Sequence, residues 1–457
     1  MRAVVIIGGG VSGLSTAYHL SKAGIPSTVV ERRPYLGGVV RTDSAHGCLL
    51  EAGPDSFLAA KPWALELIRE LGLAGDVIGS NDELRVTYIV KDGKLLPMPD
   101  GLMLMVPTRI LPMVSTRLLG WPTKFRMGWE VFRRPGNAPS EDRSVADFIR
   151  DHYGEEAVDY LAEPLLAGVY GGDPEKLSVA SVLNRFVELE EKYGSLSRGV
   201  LAERRKMRRK EGNPPLFQTL RGGLGKLINT LVSAAGHSVN VIEADALAVE
   251  RQADGYRVML SDGSLDARHV VLACQAHEAG GVIRPLDDPL ADLLAAIPYN
   301  SSVTISLGFA KSTFDCRLNG FGFLVPKRER KRVMAGTWVG TKFAHRVPED
   351  KVVLRCFLGG DSSASLQESD DALVETVREE LREILGLHSQ PMFWRVARWP
   401  RSMAQYVVGH QKRVEEIEAR LSGAPGVHLV GNAYYGIGVP DCVRMGKQVA
   451  ERIATSR

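Results

Sequence analysis

The sequence predicts an α/β fold in which one open, Rossmann-like parallel sheet is assembled from distant stretches of the chain and interrupted by insertions. Three observations predict it. Residues 4–7 (VVII) form an apolar run suited to a buried parallel strand. Gly8, Gly10 and Gly13 follow at G-x-G-x-x-G spacing, and then Leu14, Ala17, Tyr18 and Leu20 at helical intervals. A second strand at residues 27–30 ends on the acid Glu31. Short apolar strands return at residues 269–273 and 427–431, before a closing helix at 440–453. A unit that opens at residue 4 and closes at 453 must have further domains threaded through it.

Each position of the first unit has a physical reason. Gly8 allows a tight turn, Gly10 lets a pyrophosphate approach the backbone, and Gly13 lets the helix pack on the strand. The phosphates would sit at the helix N-terminus, where free N–H groups and the macrodipole favour anions. The Glu31 carboxylate can accept both hydroxyls of an adenosine ribose. Strand, glycines, helix, strand and terminal acid together point to a dinucleotide site.

The chain has 457 residues, too many for one simple core, and about two or three domains are expected. With 44% hydrophobic and 24% charged residues, the composition is that of a soluble globular protein. A net charge of +3 gives no global field for nucleic acid. Cys48, Cys274, Cys316, Cys356 and Cys442 form no zinc or C-x-x-C pattern, which suggests packing thiols in a reducing compartment. The first strand begins by residue 4, leaving no room for a signal peptide, and no apolar run reaches bilayer-spanning length. A cytoplasmic protein is expected.

Along the chain, a helix is expected at residues 62–71, stopped by Gly72. Strands follow at 86–90 and 94–96 around an Asp92-Gly93 turn. Residues 101–135 are dense in Met, Leu and Val, and helical periodicity dominates from 145 to about 210. A turn and helix follow residue 216, then a meander of strands. Strands are expected at 297–310 and 352–359, and an amphipathic helix at 370–385 with apolar residues at 373, 374, 377, 381, 384 and 385. The split domain is of FAD type. It takes residues 1–75, 214–290 and 425–457, an α+β substrate domain takes 76–100 and 291–424, and a mostly helical, membrane-associating region takes 101–213.

Further motifs carry a resemblance. Residues 37–42 (GGVVRT) resemble the second flavin motif of amine-oxidase-like flavoproteins. Residues 51–57 (EAGPDSF), 166–173 (LAGVYGGD) with Leu177 and Ser178, 217–227 (FQTLRGGLGKL) and 431–446 (GNAYYGIGVPDCVRMG) are similar to stretches of one family within them. That family is the flavin-dependent protoporphyrinogen/coproporphyrinogen oxidases of heme biosynthesis. The likeness covers nearly the whole chain in the right order.

The resemblance implies FAD as cofactor. It places the pyrophosphate on Gly8, Gly9, Gly10, Val11, Ser12 and Gly13, and the ribose on Glu31 with Arg32 alongside. Gly38, Gly53, Pro54, Asp55 and Ser56 would face the flavin. The backbone of Ala246, on the strand after Ile242, would meet the adenine. Trp399 and Ile437, Gly438 and Val439 would close over the flavin, where a helix N-terminus can stabilise a reduced ring. The implied reaction passes hydride from a porphyrinogen meso carbon to the flavin, with dioxygen as acceptor and hydrogen peroxide released. No side chain stands out as a general base, and the ten histidines show no ligand spacing. A cofactor with its own redox chemistry makes that intelligible.

For the substrate, Gly168 matches a glycine whose carbonyl accepts pyrrole N–H groups, although a plain turn glycine reads the same way. Lys61 stands where bacterial relatives have a lysine near the pocket, and it could equally be an exposed helix-start lysine. Where eukaryotic members hold a propionate with arginine, this chain has Thr87. Arg85, two residues earlier, would share its face in a strand. The departure resembles the Gram-positive-type enzymes acting on coproporphyrinogen III, with protoporphyrinogen IX the other candidate.

Residues 102–121, with Arg109 and Arg117, suit a membrane interface, or else line the domain core. Residues 198–210 hold seven cations against the single acid Glu203 and read as a solvated loop, with docking to anionic lipid or an acidic partner as the alternative. Contact with other heme-pathway enzymes and a homodimer remain open, and nucleic acid is not expected. Two rival readings stand beside the porphyrinogen oxidase: another flavoenzyme of the superfamily, and a non-catalytic flavin- or tetrapyrrole-binding protein.

Overall fold

The apolar run at residues 4–7 forms the centre of strand β1 (Arg2–Ile7), where Val4, Val5 and Ile6 are fully buried. Burying such side chains stabilises a fold by about 1.5–3 kcal/mol each, so this strand anchors its sheet. The structure is a computed structural model that describes residues 2–136, 141–207, 215–317, 319–359 and 363–456. It divides into two compact units. One comprises Met1–Ser80, Pro215–Tyr299 and Lys412–Arg457, the other Asn81–Pro214 and Asn300–Gln411.

In the first unit, β1 pairs in parallel with β2 (Ser27–Glu31) on one side and with strand Gly263–Leu272 on the other, Val5 lying opposite Thr28 and Val270. Strand Val239–Glu243 continues the sheet beyond β2, and the short strand Val427–Leu429 pairs with Gly263–Leu272. Residues 269–273 are therefore not a separate strand. Residues 269–272 are the more buried half of a ten-residue strand that ends before Ala273 and whose largely exposed first half runs antiparallel to Gly255–Leu260. The apolar pattern begins only where both faces become covered, and so the sequence showed only half of the strand.

Helix α1 (Val11–Lys22) and the closing helix Val439–Thr455 cross closely, because a Cβ on Gly446 would lie 2.8 Å from the Ser12 carbonyl oxygen. Ser15 Oγ donates to the Val443 carbonyl at 3.2 Å. The two ends of the chain are thus packed together. Leu14 and Tyr18 share a core with Leu227 and Leu231 of helix Gly225–Ala235, Val443 of the closing helix, and Leu67 and Ile68 of α2 (Trp63–Glu70).

The second unit is built on a seven-stranded sheet in the order Phe393–Ala404, Tyr299–Ala310, Lys351–Leu358, Val333–Trp338, Gly322–Leu324, Thr87–Lys91, Lys94–Pro97. Helix Asp370–Leu385 covers it with Leu373, Val374, Val377 and Leu381, and Ser369 caps it by accepting the Ala372 N–H. The sequence shows this helix to the residue. Strand Phe393–Ala404 carries three arginines and Pro400 without apolar alternation, a composition tolerated only at a sheet edge, which is where it lies.

The same unit contains a helical layer whose core includes Phe148, Ile149, Tyr153, Leu161 and Phe186. Within it, His152 Nδ1 lies 3.0 Å from Glu130 Oε1, and Nε2 lies 3.1 Å from Glu190 Oε1. Glu130 also accepts Ser195 Oγ and the Leu196 N–H, and Glu190 accepts both oxygens' worth of hydrogen bonds from Arg143 at 2.8 Å. Residues 198–207 are helical, as part of Leu196–Met207, and not a loop. Arg198 donates to the carbonyls of Arg133 and Tyr193, satisfying its charge within the layer. The rest of that cationic cluster, residues 208–210, lies outside the described residues.

Candidate functional site

The glycine loop after β1 is tightly packed except at Gly10, where bare backbone faces open space. Gly8 (φ +110°) has no room for a Cβ, which would lie 2.8 Å from the Ala273 carbonyl carbon, and a Cβ on Gly13 would lie 2.1 Å from the Gly8 oxygen. Gly10 is the exception, because a Cβ there would meet nothing within 4 Å. Gly10 is also the N-cap of α1, with no side-chain cap and no acid in the first turn. The first N–H groups of a helix have no intrahelical partner, so Val11, Ser12 and Gly13 present donors and a positive dipole end to that space. A pyrophosphate fits this arrangement.

Glu31 is held ready beside the loop. Its Oε2 accepts the Gly9 N–H at 2.7 Å and its Oε1 the Arg33 N–H at 3.0 Å, fixing the carboxylate plane while leaving lone pairs for hydroxyls. Arg32 pairs with Glu278. Ala244 donates to the Glu31 carbonyl at 3.1 Å, and Ala246 opens the next strand, Ala246–Gln252, opposite Leu260. The chain thus passes the end of β2 two residues before Ala246, a detail that strand register alone decides.

The second glycine motif closes against the first. The Gly37 N–H donates to the Gly9 carbonyl at 2.8 Å, and a Cβ on Gly38 would lie 3.4 Å from Gly10 Cα. A Cβ on Gly53 would lie 1.9 Å from the Val39 oxygen, so the segment Gly53, Pro54, Asp55, Ser56 starts where that motif ends. Buried Glu51 secures the junction, accepting Thr42 Oγ1 at 2.7 Å and the Leu224 N–H at 2.8 Å. Ile437, Gly438 and Val439 stand at the start of the closing helix, with Gly438 as its N-cap. Cys442 in its first turns meets the Ser12 hydroxyl, so the N-termini of the two helices lie side by side.

The family described as flavin containing amine oxidoreductase matches residues 11–454. The chain belongs to this family. Among its relatives are the coproporphyrinogen III oxidase of Bacillus subtilis (strain 168), 33% identical over 97% of this chain and 96% of that protein, and the chloroplastic protoporphyrinogen oxidase 1 of Arabidopsis thaliana, 29% identical over 98% and 87%. A crystal structure from Exiguobacterium sp. 255-15 superposes with a TM-score of 0.88 at 29% identity, covering 100% of this chain and 99% of its own. The protein is a flavin-dependent oxidoreductase with an α/β fold of this family, and FAD is its cofactor.

The remaining sequence-derived positions lie in the second unit, apart from Lys61. Gly168 is exposed in the last turn of helix Glu163–Tyr170, where a helix leaves its carbonyls without intrahelical partners. Two neighbouring carbonyls are occupied, Tyr170 by Gln405 Nε2 at 2.8 Å and Gly171 by Asn300 Nδ2 at 2.6 Å. Thr87 begins strand Thr87–Lys91, opposite Gly322. Arg85 precedes that strand, at the C-cap of the short helix Asp82–Leu84, so strand alternation does not put it on the face of Thr87. Trp399 is buried in the edge strand Phe393–Ala404.

Lys61 has a partner that sequence reasoning missed. Its Nζ lies 2.6 Å from Asp441 Oδ2 in the closing helix. No local spacing announces a pair 380 positions apart. Asn300, Gln405 and Glu51 escaped for the same reason, because each acts on backbone groups remote in sequence.

Proposed function

We propose that the chain oxidises coproporphyrinogen III to the porphyrin in heme biosynthesis. One observation carries the reading: the similarity to a coproporphyrinogen III oxidase runs over 97% of the chain at 33% identity. Thr87, in place of a propionate-holding arginine, favours the same substrate over protoporphyrinogen IX. When bound, FAD supplies the two-electron redox chemistry, with dioxygen as final acceptor and hydrogen peroxide as by-product.

The chain's own residues do the rest. Val11, Ser12 and Gly13 offer backbone N–H groups to the pyrophosphate and Gly10 lets it approach, while Gly8 and Gly9, whose N–H groups are held by the Val30 carbonyl and Glu31, shape the loop, and Glu31 orients the ribose. Gly38 and the segment 53–56 lie along the flavin, and the N-terminus of the closing helix favours negative charge on it. Ala246 meets the adenine, and Trp399 shields the ring. The Gly168 carbonyl accepts pyrrole N–H groups, with Gln405 and Asn300 holding its helix end. In this reading residues 1–75, 214–290 and 425–457 form the FAD domain, and 76–100 with 291–424 the substrate domain.

Residues 101–213 attach the protein to a membrane surface. No helix among the described residues is long and apolar enough to cross a bilayer. Support for lateral attachment comes instead from helix Trp121–Glu130. Trp121, Phe125 and Trp129 repeat every fourth residue and stay exposed, with Phe132 just beyond, and Ile110 and Leu111 in the preceding helix are more than 80% exposed. Lys124, Arg126 and Arg133 flank them, while Glu130 turns inward. Met105, Val106, Met113, Leu118 and Leu119 of the same stretch are buried, so part of it builds core and part remains free.

Anaerobic reduction and aerobic turnover of coproporphyrinogen III and protoporphyrinogen IX in parallel, read by porphyrin fluorescence, test the proposal. Coproporphyrinogen III is expected to turn over faster. Gly168→Arg is expected to abolish turnover with FAD still bound. Preference for protoporphyrinogen IX, or bleaching by an amine only, would reject the substrate assignment.

A further inference from the structure

Lys61 ends a segment that begins at the flavin-motif glycines. Gly53 packs on the Val39 carbonyl directly after Gly38, Phe57 and Leu58 pair with strand Phe217–Leu220, and the Lys61 N–H donates to the Leu58 carbonyl at 3.2 Å. One end of this strap is therefore fixed at the glycine loop. The other end is fixed by charge, through the 2.6 Å contact of Lys61 Nζ with Asp441 Oδ2.

The pair is asymmetric. The Asp441 side chain is 5% exposed, whereas that of Lys61 is 40% exposed. Asp441 is the third residue of the closing helix, and the same Oδ2 accepts the Gly438 N–H at 3.2 Å. Gly436 (φ +125°) leaves room for it, since a Cβ there would lie 2.4 Å from Asp441 Cγ. The backbone is thus shaped around a carboxylate that is nearly shut off from water and is answered, among the described residues, by Lys61. A buried charge stripped of its partner is costly, so the pair resists opening.

We propose that Lys61 and Asp441 form a latch that ties the strap of residues 53–61 to the N-terminus of the closing helix and so retains FAD. Lys61 is then a positioning residue and not a substrate contact. The proposal rests on the reading that FAD lies on the Gly8–Gly13 loop. With the latch closed, the strap and the two adjoining helix N-termini hold a fixed spacing. With it open, the strap keeps its glycine end and its pairing through Phe57 and Leu58 but loses its tie to the closing helix.

The test uses the purified holoprotein and the variants Lys61→Met, Lys61→Arg, Asp441→Asn and the Lys61→Met/Asp441→Asn double. FAD release is followed by recovery of free-flavin fluorescence after dilution, folding by circular dichroism, and the site by the visible spectrum of the flavin still bound. Lys61→Met and Asp441→Asn are expected to release FAD at least about tenfold faster with their fold intact and the flavin bands altered. The double variant is expected to match the singles, and Lys61→Arg to stay near wild type. Wild-type release from Lys61→Met, with a raised KM for the porphyrinogen, would overturn the latch and return Lys61 to the substrate. Undiminished FAD binding by Gly10→Glu would instead remove the underlying placement of FAD, independently of the latch.

Discussion

The glycine loops of the first unit and the helical layer of the second solve opposite problems. At Gly8 and Gly13 the chain removes side chains so that backbone packs closely, and at Gly10 it leaves open space before the N–H groups of a helix N-terminus. Around His152 it buries Glu130, Glu190 and His152 beside the half-buried Arg143, and satisfies each with another. The first arrangement leaves donors for a guest, whereas the second leaves nothing over. A site of the first kind tolerates no added atom, and one of the second kind tolerates no removed charge.

The sharpest break of that contrast is Gly10→Glu. It puts bulk and a negative charge where the only open Cβ direction in the loop leads, at a helix N-terminus suited to an anion. Complete loss of bound FAD is expected in a folded protein, read from the ratio of flavin absorbance to protein absorbance. Undiminished flavin would mean that the open space serves something else.

Next in size is His152→Leu, which keeps the volume and removes the group between two carboxylates. Destabilisation by about 3 kcal/mol is expected from urea unfolding, the cost of leaving a buried carboxylate short of a partner. FAD content of the folded fraction is expected to stay at wild-type level. A variant as stable as the parent would show the network to be dispensable.

How legible each region was follows from the range of its contacts. The glycine loop, β2 and Glu31 lie within one βαβ unit, and their roles need fixed local spacing, so the sequence displays them. Helix Asp370–Leu385 was visible because one face alone is buried. The Glu130–His152–Glu190 network was not, since its members are 22 and 38 positions apart and look like ordinary surface charges on amphipathic helices. Lys61 was found as a candidate, but its partner was not, because Asp441 lies 380 positions away. Arg85 turned on a boundary: the strand begins at Thr87, one residue later than an apolar pattern from 86 implies, and Arg85 lies outside it.

The outward face of the same helical layer gives a smaller effect. Trp121, Phe125 and Trp129 are exposed on one side of a helix whose Glu130 is fixed inside. Replacing Phe125 and Trp129 by serine removes apolar area already in water, so stability is expected to change by less than about 0.5 kcal/mol. Sedimentation with vesicles of anionic lipid is expected to fall several-fold, and binding to neutral vesicles to be weak for both proteins. Equal sedimentation of variant and parent would dismiss the membrane role of this face.

The smallest expected effect is the pH dependence of the network. Burial opposes the charge on Glu130, but hydrogen bonds from His152 and Ser197 outweigh it and hold the carboxyl below its ordinary 4.5. Glu190 is likewise lowered, with burial opposing and His152 and Arg143 prevailing. A carboxyl whose folded pKa is depressed contributes stability that is complete above the unfolded value and is lost as pH falls through the folded one. The contribution of these two carboxyls is therefore expected to be complete above their unfolded value and to decline below about 4.5. The stability gap between wild type and His152→Leu should accordingly narrow on acidification, as each carboxylate takes up a proton and no longer needs a charged partner. A gap that stayed constant down to pH 3 would show that shape around His152, and not charge, holds the helices together.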